Sequence, residues 1–312
     1  MTLINPPLLV HGGTHAARAF RMMVRDLSHG AQGITESDDL KVTQLATPGI
    51  GVRVGDGSAV IRGAMAWGQG SYTQYNVGFH SVPIAPTGVS GRSDLLVLRV
   101  EDPEYEGVRN PEKDDIGYFH VIPNVSANTV SAPAGMTAVA LARIDLPANT
   151  RVVTDSMIKD VRTIANPRRG RQLYTASPGE DQNWEGNRGS WADWPPAARF
   201  DVQVPTWARR ARIVMTVSGL QVLGSIWGST AFRLGGVQGQ SIQIDDGSTR
   251  GDSDSSVRIN AISADTIDIP TEMRGTTQRL QGMVLLTKDN SGYLQSDIVT
   301  TIIADVEFEE GI

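Results

Sequence analysis

The chain has 312 residues, a formal net charge of −6 and no cysteine. This length is typical of two domains, and the mild acidic charge argues against a general nucleic-acid-binding protein. The lack of cysteine excludes disulfides and thiolate metal sites as sources of stability.

Glycine and proline are abundant, with 33 and 16 residues, while aromatic residues make up only 6% of the chain. This composition is typical of many short strands joined by tight turns, and it predicts a mostly β fold. No apolar run is long enough to span a membrane. The first seven residues lack a basic start followed by an apolar core, so we expect no signal peptide.

The first predicted element is a short amphipathic helix with Thr14 as a candidate N-cap and Gly30 as the stop signal. Apolar residues recur at i, i+3, i+4 and i+7, as Phe20, Met23, Val24 and Leu27. The remaining faces carry Arg18, Arg21 and Arg25. Two interpretations stay open: the apolar stripe packs on its own domain, or it docks on a neighbouring subunit.

From residue 40 the apolar pattern changes to a period of two, which predicts short strands. Gly-Asp-Gly at residues 55–57 lies between two such strands and predicts a β-hairpin, because Asp-Gly supplies positive φ at low cost. Residues 156–164 are compatible with one or two helical turns. Residues 1–165 are therefore predicted to form an α+β domain, with strands at 41–45, 51–54, 58–61, 72–79, 94–102, 117–122 and 137–146.

The polar segment at residues 101–115 separates two of these strands. We predict a solvated loop, with a cation site among its carboxylates as the alternative. The histidine group His11, His15 and His29 is a weak metal candidate, since no further ligands are fixed by the sequence. The acidic segment at 245–254 lacks the spacing of a calcium-binding EF-hand loop and is predicted to be a hairpin tip.

Residues 166–199 lose regular periodicity and are predicted to form a linker rich in proline and glycine. Three of the six tryptophans lie in this segment, at Trp184, Trp191 and Trp194. Such a concentration indicates that the segment packs against its own domains or against other copies of the chain.

Residues 200–312 are predicted to form a C-terminal antiparallel β-sandwich of the jelly-roll type. About eight strands with turn signals between them support this prediction. Three aromatic residues of this domain, Trp207, Trp227 and Tyr293, are candidate contacts for a glycan or a partner protein. Packing inside the core is the alternative for each, because aromatic residues of sandwiches mostly pack there.

No motif in the chain predicts catalysis. The Gly-x-Ser-x-Gly elbow of hydrolases does not occur, and no glycine-rich turn joins a strand to a helix. The sequence singles out no pair of carboxylates for glycoside cleavage. We therefore expect a protein that is not an enzyme, with no catalytic, cofactor-binding or metal-ligating residues and no cofactor.

Several short motifs follow one another in an order that resembles a known family. They lie at residues 26–34, 39–43, 47–49, 52–61, 92–100, 141–150 and 158–162, and together they cover about residues 16–165. The family comprises structural tail proteins of bacteriophages of actinobacteria, often called minor tail, baseplate or upper tail-fibre proteins.

The resemblance implies a virion component of the phage tail tip, assembled in the host cytoplasm. Residues 1–165 would be an attachment and oligomerisation domain, which would hold the protein as a homotrimer and contact other tail or baseplate proteins. The C-terminal domain would face outward and bind a host glycan or the next fibre protein. Nucleic-acid binding and membrane insertion are not implied. A carbohydrate-binding or glycan-cleaving tail adhesin is the alternative function.

Overall fold

The computed structural model describes residues 15–184, 186–246, 256–288 and 292–312. The chain divides into two compact units between Pro167 and Arg168. We name the part before this boundary unit 1 and Arg168–Gly311 unit 2. About half of the described residues lie in antiparallel strands, accompanied by a single short α-helix, which confirms the predicted mostly β fold class.

Unit 1 begins with the helix α1 and continues with short strands. The helix spans Ala17–Leu27, and His29 and Gly30 follow it with positive φ of 52° and 70°, as expected for a helix stop. The predicted cap Thr14 lies outside the described residues. The strands are β1 Gly33–Ile34, β2 Val42–Gln44, β3 Gly51–Val54, β4 Gly57–Arg62, β5 Ser71–Asn76, β6 His80–Pro83, β7 Arg92–Val100, β8 Gly117–Val125, β9 Ala138–Leu146 and β10 Ile158–Asp160.

These strands form three antiparallel sheets, with the orders β1-β4-β5, β2-β3-β6 and β10-β9-β7-β8. Strand β7 is buried on both faces, because Leu96 and Leu98 pack into the main core while Leu95 and Val97 pack into a smaller cluster on the other side. Burial on both faces accounts for its uninterrupted apolar run.

The predicted hairpin around residues 55–57 is wrong. Strand β3 pairs with β2 and β6, whereas β4 pairs with β1 and β5, so the Gly-Asp-Gly turn carries the chain from one sheet into another. Gly57 has a φ of +134° and lies so close to Asp39 that a Cβ would meet its Cα at 2.5 Å. The helical turns predicted at 156–164 are also corrected: a single 3-10 turn, Asp155–Met157, leads directly into β10.

Unit 2 contains strands of up to 14 residues. They are β11 Arg169–Ala176, β12 Gln182–Asn183, β13 Ala192–Asp193, β14 Arg199–Gln203, β15 Arg210–Leu223, β16 Ile226–Leu234, β17 Val237–Gln238, β18 Ile242–Asp246, β19 Ser256–Asp268, β20 Thr277–Leu286, β21 Tyr293–Ser296 and β22 Thr301–Glu309.

Eight of these strands form a sandwich of two antiparallel sheets. One sheet has the order β11-β22-β15-β19, and the other has the order β14-β20-β16-β18. Counted along the chain from one to eight, these orders are 1-8-3-6 and 2-7-4-5, the arrangement produced by two Greek keys in a jelly roll. The predicted jelly-roll sandwich is therefore present, with its apolar core between the two sheets.

The segment at 166–199 is not a free linker. Strand β11 pairs with β22 along its whole length, from Arg169 opposite Glu309 to Ala176 opposite Ile302. Trp184 and Trp194 are buried in the core of the sandwich, and Trp191 is half-buried. The interpretation of 166–199 as a linker is corrected, because unit 2 begins at Arg168 and its first strand lies in this segment.

The pattern of β11 explains why the sequence did not reveal it. Its half-buried positions are Gly170, Gln172, Tyr174 and Ala176, whereas its most apolar residue, Leu173, is exposed. An inward-facing set that includes a glycine and a glutamine gives no apolar alternation.

We expect a fragment comprising Arg168–Gly311 to unfold cooperatively in urea, whereas a fragment of residues 200–312 does not. Loss of β11 leaves the edge of β22 unpaired, and loss of Trp184 and Trp194 leaves voids in the core. Circular dichroism of both fragments during urea unfolding measures the difference. Equal unfolding midpoints would contradict this boundary.

Candidate interaction surfaces

Helix α1 is anchored to unit 1 by its arginine face. The Arg21 side chain is only 12% exposed. Its Nε donates a hydrogen bond to the carbonyl oxygen of Gln69 at 2.9 Å, its Nη2 donates to Glu104, and its Nη1 lies 3.3 Å from Asp102 Oδ2. Charged hydrogen bonds therefore fix the helix to the rest of the unit.

Two tyrosines complete this network. The Arg21 guanidinium lies over the rings of Tyr72 and Tyr105, at 5.7 and 5.4 Å from their centroids. The Tyr72 hydroxyl donates to Asp102 Oδ2 at 2.7 Å, and burial together with this bond raises the pKa of Tyr72. Gly70 permits the close approach of the helix, since a Cβ there would lie 2.6 Å from the carbonyl carbon of Arg21.

The segment 101–115 contains no helix or strand and most of its residues are exposed, as predicted for a solvated loop, but four of its carboxylates contact arginines. Asp102 is buried beside Arg21. The other contacts are Arg18 with Glu104 at 2.7 Å, Arg99 with Glu101 at 3.7 Å and Glu106 at 3.6 Å, and Arg109 with Glu101 at 3.6 Å. Among the described residues, no group of three or more histidines and carboxylates has the geometry to hold a metal ion. His11 and residues 247–255 lie outside the described part of the chain.

The apolar stripe of α1 is only partly covered. Phe20, Met23 and Val24 are half-buried, and Leu27 is 73% exposed. Ala19 is the one fully buried residue of the helix. The helix is thus held by polar contacts and keeps apolar area available at the surface of unit 1.

A cavity of about 310 Å³ lies in unit 1 between β5, β6 and β8, and we name it the β5–β8 cavity. Its floor includes the buried side chain of Leu98, and its lining includes Gln74, Tyr75, Asn76, His80, Asp115 and Phe119. The ring centroids of His80 and Phe119 are 5.1 Å apart. The cavity therefore combines aromatic surface with hydrogen-bonding groups.

The wall beside Asp115 is held by a stacked arginine. The Arg109 guanidinium lies 3.8 Å from the centroid of the Tyr118 ring, and its Nη1 donates to the carbonyl oxygen of Asp115 at 2.8 Å. The Tyr118 hydroxyl donates to Glu101 at 2.8 Å, and this bond is the main cause that lowers the pKa of Glu101. These contacts fix the orientation of Tyr118 at the cavity.

The three aromatic candidates of unit 2 lie at two places, with Trp207 just before β15 and the other two near the end of that strand. Trp207 is half-buried, packs against the core and lies under the Arg168 guanidinium at 5.7 Å. Trp227 on β16 and Tyr293 on β21 are 59% and 41% exposed. Strands β16 and β21 belong to different sheets, but the two residues lie near the turn that joins β15 to β16, where Tyr293 pairs with Leu223 and Gly292 N donates to the carbonyl oxygen of Ser225 at 2.9 Å. A contact role for them stays a prediction.

Comparisons with known proteins give little further information. No family model matches the chain, and no curated protein matches it. No helix among the described residues has the length and hydropathy of a membrane span.

Solved structures align over most of the chain but with low similarity. A structure of the infectious bursal disease virus Gx strain aligns at 11% identity and a TM-score of 0.27, covering 90% of this chain and 75% of that one. The infectious bursal disease virus VP2 subviral particle aligns at 12% and 0.23, covering 95% and 87%. The Bacillus thuringiensis insecticidal delta-endotoxin Cry8Ea1 aligns at 9% and 0.21, covering 90% and 52%. Scores of this size do not establish a shared fold or a function.

We expect Arg21→Ala to lower the free energy of unfolding of unit 1 by about 2–4 kcal/mol, because it leaves Asp102 buried without its cationic partner. The control Arg18→Ala removes a guanidinium that is 42% exposed, and we expect a loss below about 1 kcal/mol. Urea unfolding of the full chain measures both. Equal losses would contradict the anchoring role of Arg21.

The pairing of Glu104 predicts a pH dependence. The hydrogen bond from Arg21 holds the pKa of Glu104 below its ordinary value of 4.5. A carboxylate with a lowered pKa stabilises the fold above its ordinary pKa, and the stabilisation is lost as the pH falls through the folded-state value. We expect wild type to be more stable than Glu104→Gln near neutral pH, by less than about 1 kcal/mol because Glu104 is exposed. Urea unfolding across the acid range checks this, and a difference that stays constant into acid would contradict it.

Proposed function

We propose that the protein is a structural component of a virion, located at the tail tip or baseplate of a phage. It links the tail to fibres or presents unit 2 toward the host surface. The observation that carries this proposal is the jelly-roll order of the two sheets in unit 2, an architecture used by viral capsid domains and by lectins. The jelly roll serves many functions and does not by itself specify a location in the virion. The proposed tail location rests on the order of motifs in residues 16–165.

Unit 1 is assigned the attachment role. Its helix is fixed by Arg21, and this leaves the stripe from Phe20 to Leu27 only partly covered. Apolar surface of this kind is typical of contacts between subunits. We propose that it contacts a second copy within a homotrimer, or a neighbouring tail protein.

A carbohydrate-binding adhesin is the second candidate function. The exposed side chains of Trp227 and Tyr293 on unit 2 favour it, because exposed aromatic side chains offer large amphipathic contact surfaces. A glycan-cleaving adhesin would require two carboxylates at a defined separation and would release reducing ends from host wall polymers. A purely structural protein releases none.

The molar mass in solution tests the oligomeric part of the proposal. We expect light scattering to give three times the chain mass of 33.5 kDa, about 100 kDa. Leu27→Asp places a charge on the apolar stripe and is expected to shift the mass toward that of the monomer. The control Leu173→Asp changes a residue of unit 2 that is 64% exposed, and it should leave the mass unchanged. A monomeric wild type, or the same effect from both variants, would contradict the proposal.

A further inference from the structure

We propose that the β5–β8 cavity of unit 1 is a binding site for one neutral sugar unit, such as a hexose of a glycan chain. The site is separate from the aromatic residues of unit 2. This binding site goes beyond the proposed virion role, because ligand binding in the cavity does not depend on oligomerisation. Size, aromatic surface, hydrogen-bonding groups and charge each support the assignment.

The size of the cavity suits a ligand of this class. Its volume of about 310 Å³ lies at the lower end of the range of roughly 300–1,000 Å³ that is typical of small-molecule sites. A single hexose ring with its hydroxyl groups fits such a volume, whereas a nucleotide or a long peptide segment does not.

Aromatic side chains supply the surface on which a sugar ring packs. The Tyr75 side chain is 71% exposed at the mouth of the cavity, and the contact between His80 and Phe119 forms a wall. A pyranose ring presents apolar C–H groups on its faces and hydroxyl groups at its edge. Tyrosine has the same division, with a large apolar body and a polar tip.

Hydrogen-bonding groups surround this aromatic surface. Both N–H groups of the Asn76 amide are used, since Nδ2 donates to the carbonyl oxygens of Gly55 at 2.8 Å and Gly78 at 2.9 Å. The Asn76 side chain is therefore held in one orientation, with Oδ1 as the atom that accepts from a ligand. The Gln74 amide also lines the cavity and makes no hydrogen bond with the described residues. Amide and carboxylate groups together can accept from and donate to sugar hydroxyls.

The charge of the lining selects against anions. Asp115 is the one lining residue with a formal charge among those described. Arg109, a cation that stacks on the lining residue Tyr118, is engaged by Glu101 and by the carbonyl oxygen of Asp115. A phosphate or a sugar acid would meet Asp115, with no lysine or arginine among the described lining residues, which disfavours binding. The remaining class is a neutral, hydroxyl-rich ligand.

The test uses the full chain and three neutral probes, the methyl α-D-pyranosides of glucose, galactose and mannose. D-glucuronate and glucose 6-phosphate are the charged comparison ligands. Saturation-transfer NMR and titration measure binding to wild type, Tyr75→Ala, Asp115→Ala and the control Tyr293→Ala. Tyr75 and Asp115 are both exposed, so both variants are expected to fold, which circular dichroism checks.

We expect at least one neutral glycoside to bind more tightly than both charged ligands. Tyr75→Ala and Asp115→Ala should each weaken binding by about tenfold, equivalent to about 1.4 kcal/mol, while Tyr293→Ala leaves it unchanged. The proposal is overturned if none of the neutral glycosides binds, if only the charged ligands bind, or if the two cavity variants bind like wild type. Because the molar mass is measured separately, failure of this site is distinguishable from failure of the trimer.

Discussion

The interaction of Arg21 with Asp102 and Glu104 fixes the orientation of helix α1 on the rest of unit 1. A guanidinium that is 12% exposed needs partners for its donors, and here they come from Gln69, Asp102 and Glu104. Satisfying them places the charged face of α1 against the unit. The apolar stripe of the same helix is then half-buried at Phe20, Met23 and Val24 and exposed at Leu27. The proposed attachment role of unit 1 rests on this arrangement.

Much of the β-structure could be predicted, because its signals are local. Strands β7 and β9 are long apolar runs, and the strands of unit 2 from β14 to β22 alternate or lie between clear turn residues. By contrast, β11 has Gly170 and Gln172 at inward positions and is recognisable only through its pairing with β22. The segments β3 and β4 look like a hairpin, yet each finds its partners in a different sheet. Local patterns predict strands, whereas pairing across the chain decides where a unit begins.

The candidate sites, too, could be predicted only where local sequence patterns reveal them. The exposed aromatic residues Trp227 and Tyr293 could be singled out by residue type, but the β5–β8 cavity could not. It requires Tyr75 and Asn76 from one strand, His80 from a second and Phe119 from a third to meet around one space. Likewise, Arg18 and Arg21 of α1 look like a solvated face in the sequence. Their carboxylate partner Glu104 lies some 80 residues further along the chain, and only the fold brings it beside them. Sites made by distant segments leave no local signal.

The accessibility of Leu27 tests the central claim most directly. The chain has no cysteine, so Leu27→Cys provides a single reactive thiol on the apolar stripe. We predict that a maleimide labels it much more slowly in the assembled oligomer or particle than in the separated chain. Val89→Cys, at a position that is 91% exposed, should be labelled equally in both. Equal labelling of Leu27→Cys in the assembled and separated states would contradict attachment through this surface.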